Sequence, residues 1–211
     1  MGDDVPTMQM TALLCAGMMV FCLLSCGCTS GPGSGPGVPA TVSATVTGSP
    51  QPVLESPTAG TFILSVDSVV PGSTLPAGYT CTGEYQTPGV SWENAPNDTK
   101  SFVLILEDPD APQGTFTHWL VYNIPPQVHS IDPAQPDGKT LSDGAQVGTN
   151  TAGSRGYYPP CPPPGKTHRY IFRVYAVDMI ISQPTADRES IDWALTGHTL
   201  GSAQVVTTFG R

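Results

Sequence analysis

The chain has 211 residues and a net charge of −9, from 17 acidic against 8 basic residues, with no Lys or Arg before Lys100. That balance offers no basic patch for a nucleic-acid backbone, so no DNA or RNA partner is expected. Charged residues make up only 12% of the chain while Gly and Pro number 23 each, a composition that favours a loop-rich β or α+β domain over a helical bundle.

The first sixty residues do not read as globular. Met10 to Leu24 is a fifteen-residue apolar run ending in small residues, which predicts a secretory signal over residues 1–25. Its ending, Leu23-Leu24-Ser25-Cys26, resembles a lipobox, after which Cys26 becomes the lipidated first residue. The segment ahead of the apolar run departs from the usual pattern, with Asp3 and Asp4 and no base; a start at Met8 removes both acids. The alternative is an uncleaved anchor, for which the run is at the short limit. Either way the domain lies outside the cytoplasmic membrane, and the lipoprotein reading puts it on the outer face. Residues 26–60 are rich in Ser, Thr, Pro and Gly with one charge, Glu55, and predict a flexible tether. Within it, Gly31 to Gly37 lacks the Gly-Lys-Ser/Thr ending of a phosphate loop.

The folded domain spans residues 61–211. Phe62 to Val66 predicts a first strand, and turns follow at Pro71-Gly72 and Pro76-Ala77-Gly78. A short strand is expected within Gly89 to Pro96, and Asn97-Asp98-Thr99 is a glycosylation sequon in a loop. Phe102 to Leu106 is an unbroken apolar run that reads as a strand buried on both faces. It ends in Glu107-Asp108-Pro109-Asp110-Ala111-Pro112, and a second apolar run, Trp119 to Ile124, opens on His118. Val128 to Arg155 predicts a long surface loop of functional character. Gly156 to Gly165 holds five prolines and a cysteine, too stiff to join a sheet. Lys166 to Val177 is a further core strand, on which His168 and Tyr170 share one face and Arg169 takes the other. Glu189 to Val205 is the one good helix candidate, weakened by Gly197 and Gly201.

Asp108, Asp110, His118, His168 and Tyr170 are therefore polar groups stationed at core-strand ends. Imidazoles beside carboxylates, a phenol and free loop N–H groups suit a small anion, a phosphoryl group above all, with Asp108 expected to hold His118 as the imidazolium. The spacing Asp108, His118, His168 matches no metal pattern, so neither metal nor cofactor is expected. No Gly-x-Ser-x-Gly elbow is present; Cys161 with His168 imitates a Cys–His pair, but in an exported chain a disulfide is the blander fate for that thiol.

Three stretches carry a resemblance: Asp108-Pro-Asp-Ala-Pro112, Thr117 to Pro125 and Cys161 to Ala176, supported by Tyr79-Thr-Cys-Thr-Gly83 and Gly197-His-Thr-Leu200. Together they look like the phosphatidylethanolamine-binding protein family, and more closely its prokaryotic Raf-kinase-inhibitor-like branch. The resemblance implies a mainly β fold, with two antiparallel sheets in a sandwich-like arrangement and a few peripheral helices. It implies an anion pocket at Asp108, His118, Pro162, His168 and Tyr170, with Asp110, Pro112 and Arg169 bracing the loops. One departure is Tyr158-Pro159-Pro160, where relatives have Gly-Pro before the Cys-Pro-Pro element. With Cys26 lipidated, Cys81 and Cys161, each beside a motif loop, are expected to pair. The reading is a membrane-tethered binder of a small phosphorylated or carboxylated anion, not an enzyme. The alternative is an inhibitor or interaction module acting on a protein partner such as a protease or kinase.

Overall fold

The computed structural model describes residues 60–135, 138 and 140–211. The expected leader (1–25), the lipidated Cys26 and the tether apart from Gly60 lie outside the described residues. Two antiparallel sheets make up the fold. The smaller has the order β1-β2-β5, from β1 (Ile63–Val66), β2 (Val90–Glu93) and β5 (Ser130–Ile131). The larger has five strands, β3 (Ser101–Asp108), β4 (Phe116–Ile124), β6 (Gln146–Val147), β7 (Thr167–Val177) and β8 (Thr199–Gly210), in the order β6-β4-β3-β7-β8.

The position of β3 explains its composition. Successive side chains leave opposite faces of a strand. Phe102, Leu104 and Leu106 enter the core between the sheets, with Trp119, Phe172 and, from the small sheet, Leu64, Trp92 and Ile131. Val103 and Ile105 face the other way and pack with Leu120, Tyr122, Ile191 and Leu195 beneath the helix α1 (Arg188–Leu195). Both faces are buried, so the strand is apolar without alternation, as the sequence predicts.

The helix is shorter than expected. Instead of running from Glu189 to Val205 it ends at Leu195, and residues 199–210 form β8, paired along the length of β7. Asp187 caps its start in a reciprocal box with Ser190, at 3.0 Å and 2.9 Å. Gly197, at φ +79°, supplies the left-handed turn that stops it. Beyond that turn the β-branched residues Val205, Val206 and Thr207 gain more from a long ladder than from another helical turn. The stretch 128–155 is likewise not all loop. It contributes β5 and β6 and buries Leu141, Ala145 and Val147.

The Pro-rich segment joins no strand, as its composition predicts. It is held from outside. Cys161 is bonded to Cys81, the Cys81 N–H donates to the Pro160 carbonyl at 3.0 Å, and the Tyr157 hydroxyl donates to the Tyr79 carbonyl at 2.7 Å. Gly83 closes this anchoring turn. A Cβ there would lie 2.1 Å from the Ala77 carbonyl oxygen, so only glycine fits.

Candidate functional site

Strand β4 carries one more residue than β3 where the site forms. Leu106 pairs with Trp119, but Glu107 pairs with Thr117, so His118 is the extra residue of a bulge. In an unbroken strand His118 would share the helix-covered face with Leu120. The bulge re-aims it toward Tyr170, whose ring it meets edge-on at 5.4 Å, and toward Phe116 at 4.7 Å. The result is a cavity of about 340 Å³ lined by Asp108, Pro112, Phe116, His118, Tyr158 and His168, among others.

Each polar group in it has a definite assignment. Asp108 uses both oxygens inside the protein: Oδ2 accepts from Nδ1–H of His168 at 2.7 Å, and Oδ1 accepts from the Asp110 N–H at 2.8 Å. The expected Asp108–His118 pair is therefore corrected. β7 lies beside β3, which brings His168 and not His118 against the carboxylate. His118 Nδ1 lies 2.7 Å from the Tyr158 carbonyl oxygen, which only accepts, so that nitrogen carries the proton. Burial pushes the His118 pKa down to about 4, against the smaller opposing pulls of that carbonyl and of Asp108, so the ring is neutral where the imidazolium was expected.

Its second nitrogen, Nε2, is buried with no hydrogen-bond partner in the protein, and so is the Tyr170 hydroxyl. That hydroxyl adjoins Asp108 without meeting hydrogen-bond geometry, and its pKa is raised, mainly by burial and then by the carboxylate. Among the described residues three buried side-chain polar atoms are unpaired in this way; one is on His118, which lines the cavity, and another on Tyr170, whose ring packs edge-on to that of His118. Leaving such a group unmet costs about 1–3 kcal/mol, so a cavity that keeps His118 Nε2 unmet is arranged for something that meets it.

The loop residues behave as braces. Arg169 grips Asp110 with Nη2 at 2.6 Å and Nε at 2.9 Å, and its N–H adds a third bond at 2.8 Å. The Arg169 side chain, then its N–H, draws the Asp110 carboxyl down to about 2. Pro112 lines the cavity itself. Pro162 is set back from it: it is buried, its carbonyl accepts from Arg211 Nε at 2.6 Å, and Cys161 and Pro163 line the wall instead. Glu107, the third acid of the cluster, falls on the opposite face of β3 and pairs with Arg173 at 3.1 Å and with Arg188. Phe116, Tyr158 and Pro163 are lining residues that sequence reasoning missed. A signal for Tyr158 was present, an aromatic immediately before a proline run placed next to a strand-end histidine.

A family model for phosphatidylethanolamine-binding proteins matches residues 65–210. The chain is similar to a UPF0098 protein of Methanothermobacter thermautotrophicus, 43% identical over 138 residues, which cover 65% of this chain and 91% of the relative. A UPF0098 protein of Aquifex aeolicus is 42% identical over 143 residues, 66% of this chain and 83% of its own length. Among solved structures, a phosphatidylethanolamine-binding protein homologue from Chlamydia trachomatis superposes with a TM-score of 0.65 at 35% identity, over 71% of this chain and 97% of the other. Escherichia coli YbcL, described as a member of the mammalian family, gives 0.66 at 27% identity, over 71% and 98%.

Proposed function

Because the chain belongs to the phosphatidylethanolamine-binding protein family, we propose that its cavity binds a small phosphorylated or carboxylated anion without turnover, on an exported domain tethered to the membrane. The observation that carries the binding reading is the unpaired buried Nε2 of His118, a residue that lines one small cavity together with His168 and Asp108. Several features favour binding over catalysis. Among the described residues no Ser or Thr lines the cavity, the lining cysteine is in a disulfide, and Asp108 spends both oxygens as a brace.

Isothermal titration of the full chain in detergent with inorganic phosphate tests this reading. Saturable heat at one site per chain supports it; no heat at millimolar phosphate rejects it. The tether and its location rest on Leu23-Leu24-Ser25-Cys26. Stable anchoring takes two or more lipid chains. Cys26→Ala is therefore expected to give an unprocessed precursor or a released domain on membrane fractionation. Processing and retention equal to the parent overturn the lipoprotein assignment.

A second reading has one observation in its favour. Trp193 on α1 is 81% exposed and borders a hollow of about 520 Å³ with Arg188, Glu189, Asp192 and Thr196. An exposed indole beside charged groups suits a protein partner. Such binding would survive substitutions in the anion cavity.

A further inference from the structure

Resting on the protein-partner reading of Trp193 given above, we infer that the outer face of α1 docks an arginine-bearing segment of a partner protein, with a guanidinium stacked on the indole and paired with Glu189.

The fold has no use for this indole. α1 turns Ile191 and Leu195, one helical turn apart, into the core, and both are buried. Two residues on from Ile191 a helix has rotated by about 200°, so Trp193 points away from that core. It is 81% exposed, whereas the chain's other two tryptophans, Trp92 and Trp119, are 2% and 1% exposed. Trp193 lines three adjoining hollows of about 520, 420 and 360 Å³.

The charges beside it select a cation. α1 and its cap carry Asp187, Glu189 and Asp192 against Arg188 alone. Three of these four are engaged. Asp187 accepts from the Ser190 N–H at 3.0 Å as the helix cap. Arg188 donates inward to buried Glu107 and, through Nε at 2.9 Å, to Asp192. Among the described residues the Glu189 carboxylate has neither a hydrogen bond nor an ion pair, and it lines two of the three hollows with Trp193. Four positions apart, carboxylate and indole are neighbours on one helix face. An acid in the first turn also meets the helix dipole, which accounts for Glu189 but not for the tryptophan one turn beyond it.

A guanidinium satisfies both groups at once. Tryptophan is the best aromatic platform for a cation, and the planar fork of arginine stacks on a ring while its N–H groups meet a carboxylate. An apolar side chain in the same place would cover Glu189 without pairing it, which costs free energy. A lipid surface bearing anionic phosphates would meet like charge, on a chain of net charge −9.

The test uses the full chain in non-ionic detergent and four probes: hexa-arginine, hexa-lysine, a neutral hexapeptide of alternating Gly and Leu, and cellotetraose. Because Trp92 and Trp119 are buried, acrylamide quenching of the emission reports Trp193. Hexa-arginine is expected to protect Trp193 saturably, at one site per chain, with hexa-lysine weaker and the other two without effect. By calorimetry, Trp193→Ala should lose hexa-arginine binding and Glu189→Gln should weaken it about 10-fold. Glu93→Gln removes the same charge from the smaller sheet, which packs on the face of the large sheet opposite α1, and should leave the affinity unchanged. Phosphate titration of Trp193→Ala should match the parent, since Trp193 does not line the anion cavity. Protection by the neutral peptide and not by hexa-arginine overturns the inference and leaves the protein-partner reading intact. Equal losses from Glu189→Gln and Glu93→Gln overturn it as well, reducing the effect to attraction between a polycation and an acidic chain. Protection by cellotetraose alone, or by no probe, rejects the inference and the protein-partner reading together.

Discussion

Replacing Cys81 or Cys161 by serine is expected to lower the stability of the domain by about 4 kcal/mol, the loss of a constraint that closes 80 residues of unfolded chain. Against a typical total of about 5–15 kcal/mol, this decides whether the domain is folded at elevated temperature. Its position also matters. The bond ties the turn around Cys81 to the segment that supplies Tyr158, Cys161 and Pro163 to the cavity wall. Without it, the hydrogen bonds Cys81 N–H to Pro160 and Tyr157 hydroxyl to Tyr79 remain between the two. Denaturant unfolding of parent and variant measures the first effect. Thiol labelling of the unfolded, unreduced protein checks the bond itself; modification of both positions removes the basis for the prediction.

His168→Ala should weaken phosphate binding about 10- to 100-fold, which corresponds to one charge-assisted hydrogen bond of roughly 1.5–3 kcal/mol. Asp108 holds Nδ1–H of His168, which leaves Nε2 as the nitrogen available to a ligand. Asp108→Asn should therefore also weaken binding. His168 Nδ1–H and the Asp110 N–H use different oxygens of Asp108, and an amide puts an NH2 donor in the place of one of them, so ring orientation and the turn at Asp110 compete for the remaining oxygen. Counting charges alone predicts the opposite sign, because the substitution removes a negative charge from an anion site. Calorimetry at fixed pH on parent, His168→Ala and Asp108→Asn separates the two accounts. Tighter binding by the Asp108 variant rejects the positioning role. Unchanged binding by the His168 variant removes the ring from the site.

Much of this protein was legible in its sequence, for local reasons. An apolar run without alternation can be satisfied only where both faces are covered, so the centre of the large sheet was readable at Phe102 to Leu106. Five prolines keep the segment 156–165 out of any ladder whatever surrounds it. Asp108, His118, His168 and Tyr170 gather because strand ends are where a sheet presents polar side chains. Tertiary structure decided the rest. Whether residues 199–205 continue a helix or pair with β7 depends on a neighbour that local propensity does not contain. Glu107 and Asp108 are adjacent in sequence, yet pleating sends one to an arginine pair under α1 and the other to the cavity. One extra residue in β4 turns His118 from the helix side to the cavity, and strand order sets His168 against Asp108. The partner of each imidazole is fixed by contacts between residues 40 and 60 positions apart in the chain. The lowered pKa of His118 follows mainly from burial, a property of the packed molecule.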